Sequence, residues 1–165
     1  MRRIILLICA AGFLLLSCAQ AQVTTSGLAK AEGMNNTVYG LGFSAGWMSG
    51  VGLSFRAHLP SNASVQVVFG IIKTSDQLSM TLGGEYQYDL VRNKTTRFFV
   101  GGGLGYYYNG SSGNDVSGPV RVGAGIGGEF QVQEAFHVSL EGMFVFFSDG
   151  RVIPLPQIAA HYYFF

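Results

Sequence analysis

Three residues with side chains suited to hydrolysis alternate along one short segment: His137, Ser139 and Glu141. If the segment is extended, alternate side chains point to the same face, so a base, a hydroxyl and a carboxylate would lie side by side. The alternative is a row of polar side chains that hydrogen-bond inside the fold. A catalytic base must reach a substrate, so the element that carries the row decides between the two interpretations.

Two other patterns offer weaker chemistry. Residues 123–128 read Gly-Ala-Gly-Ile-Gly-Gly and match the GxGxxG pattern, which binds dinucleotides only where a strand turns into a helix. Here the glycines alternate and continue into Glu129, which favours a plain strand. His58, His137 and His161 are scattered along the chain without a dense group of carboxylates or cysteines. We therefore expect neither a metal site nor a cofactor.

The composition indicates one domain with an unusual surface. The chain has 165 residues, and only 12% of them are Asp, Glu, Lys or Arg. That share is about half of the value usual in soluble proteins. Glycine is abundant at 24 residues, and the net charge is +1. No basic field exists that would attract nucleic acid.

The N-terminus resembles an export signal. Arg2 and Arg3 precede an apolar run over residues 4–16, and residues 19–21 supply an Ala-Gln-Ala cleavage site. The run is shorter than the about 20 residues that a spanning helix needs. Residues 15–18, Leu-Leu-Ser-Cys, offer a second interpretation, a lipoprotein box with an acylated Cys18. Cleavage after residue 21 would leave a mature chain without cysteine and therefore without disulfides.

Alternation of apolar and polar residues begins at Thr37 and continues to the last residue, after a mixed stretch over residues 22–36 that we expect to be a flexible lead. The predicted strands are residues 37–46, 50–59, 63–72, 78–90, 96–108, 120–132, 136–147 and 157–165. Clusters of turn-forming residues separate them. No segment has a helical period. The sequence thus predicts one all-β domain over residues 37–165.

Each predicted strand has one face without charge. In residues 78–90, Leu82 and Tyr86 share one face, whereas Glu85 and Gln87 share the other. The charged faces are too rich in glycine to form the solvent-exposed surface of a soluble protein. This suggests that the apolar faces lie on the outside of the fold. Lipid would explain the missing charges, because Arg or Lys at mid-depth in a bilayer costs about 2–4 kcal/mol.

Turns and aromatic residues agree with a membrane barrel. The turns after strands 2, 4 and 6 are short, whereas the longest loops follow strands 5 and 7. Outer-membrane barrels have short periplasmic turns and longer outer loops. Aromatic residues cluster near the predicted strand ends, as in interfacial girdles. Examples are Trp47 at the outer end and Tyr86 and Tyr163 at the periplasmic end.

The chain ends in His-Tyr-Tyr-Phe-Phe, which resembles the C-terminal signal that the barrel assembly machinery recognises, with Tyr163 and Phe165 as its aromatic residues. The whole pattern is similar to the small eight-stranded outer-membrane proteins, such as the barrel domain of outer membrane protein A and the outer membrane protein X type. The resemblance implies an eight-stranded antiparallel up-and-down transmembrane β-barrel. It also implies a monomer that contacts outer-membrane lipids, after handling by periplasmic chaperones. In the usual register Tyr163 faces lipid, but Tyr162 and Phe164 belong to the cleaner apolar row, so the register of the last strand stays open.

An eight-stranded barrel encloses a space that side chains can fill. We expect a polar network there instead of a wide pore. Its predicted members are Arg56, Glu85, Gln87, Arg121, Glu129, His137 and Glu141. The apolar segment 152–156 is expected either to fold over the barrel rim or to extend the last strand.

The sequence is compatible with three functional hypotheses. The leading hypothesis is a non-enzymatic outer-membrane barrel with a structural, adhesive or envelope-interaction role. A second is a lipid-modifying enzyme, since outer-membrane lipid A deacylases carry a His-x-Ser pair and a distant Glu. Against it, Leu140 stands where those enzymes have Asn, Glu141 is too close in sequence, and the row begins near a periplasmic turn. The third hypothesis is a soluble lipocalin-like carrier, which would need an apolar interior.

Overall fold

The computed structural model describes residues 36–74, 77–93, 95–111 and 120–164. The predicted signal segment, nearly all of the lead, the choice of processing at Cys18 and the terminal Phe165 lie outside these ranges. The eight strands are β1 (Val38–Gly46), β2 (Gly50–His58), β3 (Ala63–Thr74), β4 (Gln77–Arg92), β5 (Thr96–Ser111), β6 (Val120–Gln131), β7 (Phe136–Phe147) and β8 (Val152–Phe164).

The strands form a closed antiparallel barrel in which each strand pairs with its sequence neighbours and β8 pairs with β1. The predicted all-β, eight-stranded antiparallel up-and-down barrel is therefore confirmed. Most strand ends lie within two or three residues of their predicted positions, but β8 begins at Val152 instead of Gln157. The apolar segment 152–156 thus extends the strand. Within the described ranges, no helix is long and apolar enough to cross a bilayer.

The pairing register gives the stagger of the barrel. From Phe43, the pairs lead through β2, β3 and β4 to Tyr106 on β5. In the other direction they lead through β8, β7 and β6 to Thr96 on the same strand. The two end points lie 10 residues apart on β5, and this offset is the register shift around the closed barrel. A shift of this kind requires strands that are tilted relative to the barrel axis, and an eight-stranded barrel has an interior that side chains can fill.

The barrel wall is uneven. The start of β1, the end of β8 and the turns β2–β3, β4–β5 and β6–β7 lie at one end of the barrel, which we call the terminal end. The opposite end is the loop end. At the loop end, the β1–β2 hairpin closes at the Gly46–Gly50 pair, whereas β3 and β4 remain paired as far as Thr74 and Gln77. We call the edge formed by the β1–β2 turn the low rim.

Within the described part of the chain, the low rim leaves the first residues of β8 with one neighbouring strand. Residues Val152–Pro156 pair with β7 but not with β1, whose pairing with β8 starts at Gln157. Pro154 and Pro156 lie in this stretch. Proline has no N–H to donate and is confined to strand edges, so these two residues suit a strand with a free side.

The polarity of the barrel is inverted relative to a soluble protein. Large apolar side chains point outward, and Phe43 and Ile126 are both 67% exposed. Isolated exposed apolar residues are normal on a soluble protein, but a continuous apolar wall is not. Each strand contributes to this wall at alternate positions.

The last strand shows which of its two rows faces outward. Ile158, Tyr162 and Phe164 are about half exposed, whereas His161 and Tyr163 are buried. The row Ile158–Tyr162–Phe164 is therefore the outer one. The expectation that Tyr163 belongs to an aromatic girdle is wrong, because its hydroxyl has hydrogen-bonding partners inside the barrel.

Candidate functional site: the barrel interior

Polar and charged side chains fill the barrel interior. Among the described residues, sixteen buried residues are polar or charged and nine are apolar or aromatic. The core of a soluble protein has the opposite composition. The buried residues that can carry charge are Arg56, His58, Glu85, Asp89, Arg97, Glu129, Glu141 and His161. Such groups are stable inside a protein only when they are paired and hydrogen-bonded.

Arg56 on β2 lies at the centre and is fully buried. Its guanidinium forms an ion pair with Glu129 and donates a hydrogen bond from Nε to Gln66 Oε1 at 2.9 Å. It also donates to Ser139 Oγ at 3.3 Å and lies 3.6 Å from Glu141 Oε1. These contacts join β2 to β3, β6 and β7 across the lumen.

Glu129 on β6 is the main acceptor of the interior. Besides Arg56, its Oε2 accepts a hydrogen bond from Arg97 Nη2 at 2.9 Å. Its Oε1 accepts from Tyr163 Oη and from His137 Nδ1, both at 3.0 Å. Four donors from four strands therefore converge on one carboxylate, and two of them are guanidinium groups.

Arg97 on β5 is a member of the network that the sequence analysis did not single out. Its guanidinium donates to Ser64 Oγ at 2.6 Å, to Gln87 Oε1 at 2.6 Å and to Asp89 Oδ1 at 2.9 Å. The signal was present, since Arg97 precedes the outward Phe98 and must point inward by strand alternation. Arg97 lies at the very start of a predicted strand, and we therefore did not include it among the inward-pointing residues.

Two carboxylates share two amides in the middle of the barrel. Gln157 Nε2 donates to Glu85 Oε2 at 2.7 Å and to Glu141 Oε2 at 2.9 Å. Gln87 Nε2 donates to Glu85 Oε1 at 2.8 Å and to Glu141 Oε1 at 3.3 Å. Gln157 Oε1 in turn accepts from Ser49 Oγ at 2.8 Å. The network therefore reaches from the lumen to the β1–β2 turn.

The β1–β2 turn, residues 47–49, folds into the barrel instead of projecting from it, and we call it the plug turn. Met48 and Ser49 are buried. Glycines on the facing wall make room for it: a Cβ at Gly83 or Gly105 would lie 2.0 Å from the carbonyl oxygen of Ser49 or Met48. Gly50 has a φ of 103°, which permits the sharp return into β2.

An apolar cluster surrounds the plug turn and separates the polar network from the loop end. Its members are Met48, Met143, Val145, Phe147 and Leu155. The described interior therefore has a polar middle and an apolar layer on its loop-end side.

Six of the seven residues predicted to line the lumen lie in one hydrogen-bonded network, and the structure places Arg121 apart from it. Arg121 lies on the loop-end side of the plug turn, where its Nη1 donates to the carbonyl oxygen of Trp47 at 3.0 Å. The guanidinium carbon lies 3.8 Å from the centre of the Tyr107 ring. Alternation predicted that Arg121 points inward, but not that the plug turn would divide the lumen.

The side chains of His137, Ser139 and Glu141 bond to residues outside their own row. His137 bonds to Glu129, Ser139 accepts from Arg56, and Glu141 accepts from two glutamines. Ser139 and Glu141 are buried. Each side chain of the row thus serves a different part of the network.

The terminal end has a small cleft of about 130 Å³, lined in part by His58, His137 and Tyr163. Their rings pack on one another, with centroid distances of 4.9 Å for His58–Tyr163 and 4.8 Å for His137–Tyr163. Among the described residues, no group of three or more His, Cys, Asp or Glu side chains is arranged to hold a metal ion. The cleft bounds the hydrogen-bonded network at the terminal end of the barrel.

No family model, curated protein or solved structure matches this chain. The function is therefore argued from the geometry of the barrel.

Proposed function

We propose that this chain is a non-enzymatic bacterial outer-membrane β-barrel protein with a plugged polar lumen and a structural, adhesive or envelope-interaction role. The observation that carries the proposal is the inverted polarity, with an apolar outer wall around a charged, hydrogen-bonded interior. In hydrocarbon every backbone polar group must be paired within the protein, and a closed barrel satisfies that condition.

The strand lengths support a membrane-spanning role. A strand needs about 9–11 residues to cross a bilayer at the usual tilt. The shortest strands, β1 and β2, have 9 residues each, and the others are longer. With the terminal end in the periplasm, the short turns would lie in the periplasm and the extended β3–β5 region outside the cell.

The filled lumen favours a structural or contact role over transport. Arg56 and Glu129 join opposite walls, and Met48 seals the loop end within the apolar cluster. This packing supports a plugged lumen over an open channel through the barrel. A lipocalin-like carrier would need an apolar interior, the opposite of what is observed.

Fractionation of cells that express the full-length chain tests the proposal. The expected result is a band in the outer-membrane fraction that needs detergent for extraction and migrates differently with and without boiling. A sample unfolded in urea before loading is the control and should migrate like the boiled protein. Extraction into buffer without detergent would overturn the proposal.

A further inference from the structure

A cavity of about 830 Å³ lies at the low rim of the barrel and has two kinds of lining. Its inner part is polar and includes Ser79, Thr81, Tyr107, Asn109 and Arg121. Its outer part is apolar and includes Ala45, Leu140, Pro156 and Ile158, which belong to the outer wall of β1, β7 and β8. The cavity therefore connects the mouth of the barrel with its apolar surface.

The uneven wall explains why these two surfaces meet. The hairpin of β1 and β2 ends at the Gly46–Gly50 pair, and among the described residues the adjacent end of β8 has no partner on that side. The side chain of Trp47 lies at this edge and is 56% exposed. A long molecule could thus pass from the mouth over Trp47 to the outer wall without crossing a strand.

Arg121 gives the inner part of the cavity a positive charge with unused donors. Within the described ranges, no carboxylate oxygen lies within 4.0 Å of its guanidinium, and its buried Nε has no hydrogen-bonding partner. By contrast, Arg151 at the same end donates from Nε to Asp149 at 2.6 Å. The hydrogen bond from the Arg151 backbone N–H lowers the pKa of Asp149, so that carboxylate stays ionised. Arg151 is therefore paired with a carboxylate, whereas the guanidinium of Arg121 could bind the anionic group of a ligand.

We propose that this cavity binds an outer-leaflet lipid with a phosphate headgroup. Arg121 would donate to the phosphate oxygens, since a guanidinium presents several donors in a fixed plane. The hydrocarbon chain would pass over Trp47 and lie against Ala45, Leu140 and Ile158. This inference rests on the proposed outer-membrane location and adds a ligand to it. The absence of lipid binding would leave the insertion of the barrel unaffected.

Trp47 is the single tryptophan of the chain and reports directly on the site. Hexadecyl phosphate is titrated into the purified barrel in non-ionic detergent while the Trp47 emission is recorded. We expect a saturable change, with binding weakened roughly tenfold or more in Arg121→Gln, because a hydrogen bond to a charged group is lost. Arg151→Gln is the matched control and should bind like the wild type. Equal binding by both variants would overturn the proposal.

Two further comparisons, one with cavity variants and one with control ligands, test the proposal even if Arg121→Gln disturbs the plug turn. Ala45→Phe fills the hydrocarbon part of the cavity with Arg121 intact and should weaken binding, whereas Ala124→Phe, on the outer wall of β6, should not. Hexadecanol and inorganic phosphate should each fail to saturate the signal. Saturation by phosphate alone would indicate a free-anion site, and equal binding of hexadecanol would remove the role of the headgroup; either result overturns the proposal. Heat-dependent migration of each variant reports separately on barrel formation.

Discussion

Replacing Glu129 with Gln tests whether the interior ion pairs hold the barrel together. The substitution keeps the size of the side chain but removes the charge that two buried guanidinium groups share. Breaking a buried ion pair costs about 3–5 kcal/mol, because the remaining charge is left without compensation. Here Arg56 retains Glu141 at 3.6 Å and Arg97 retains Asp89 at 2.9 Å, and the Gln oxygen can still accept one hydrogen bond. We therefore expect the lower end, about 3 kcal/mol.

The assay is reversible urea unfolding of the refolded barrel in lipid bilayers, followed by Trp47 emission and by gel migration. With a slope of about 1–3 kcal/mol per molar urea, a loss of about 3 kcal/mol lowers the midpoint by roughly 1–3 M. Glu134→Gln is the matched control, because Glu134 lies exposed on the turn next to β6 and has no ion pair among the described residues. If Glu129→Gln unfolds within about 0.5 kcal/mol of the wild type, the buried ion pairs do not determine stability.

Three further predictions address the wall, the plug turn and assembly. Phe43→Arg, in the middle of the outer wall, should cost about 2–4 kcal/mol in the same unfolding assay, whereas Phe43→Leu should cost far less. Gly105→Val should expel the plug turn and shift the Trp47 emission to longer wavelength, because its Cβ would lie 2.0 Å from a turn carbonyl oxygen; Gly84→Val, with open space around its Cβ, should not. Removal of Phe165 should lower the amount of heat-modifiable protein in the outer-membrane fraction without preventing refolding of purified protein in detergent. Unchanged emission in Gly105→Val, or unchanged outer-membrane levels without Phe165, would contradict the corresponding argument.

Much of the barrel could be predicted from the sequence because strand alternation is a local signal. Glu85 and Gln87 point inward for the same reason that Tyr86 points outward, and no tertiary information is needed for that step. The closure of eight strands also follows from local pattern, since a sheet with an apolar outer face has no stable open form in lipid.

The parts that could not be predicted depend on contacts between distant segments. In β8 the cleaner apolar row faces outward, but the family resemblance had placed Tyr163 on the lipid face. The reason that Tyr163 belongs inside is its acceptor Glu129, which lies on another strand. The plug turn likewise depends on space left by Gly83 and Gly105, more than thirty residues away along the chain. Arg121 is separated from the network by that same turn, so its surroundings could not be inferred from its own strand.

With the proposed outer-membrane location, the uneven wall determines how far each side of the barrel would stand above the lipid surface. At roughly 3.3 Å per residue and a tilt near 40°, the 9 residues of β1 span about 23 Å, whereas the 16 residues of β5 span about 40 Å. A bilayer that covers the short side would leave a ledge on the long side, standing well clear of the lipid surface. Lys73, Thr74 and Gln77 are exposed on that ledge. With the proposed outer-membrane location, a macromolecule outside the cell would reach the described part of the wall on the ledge side, because the opposite flank would be level with the headgroups.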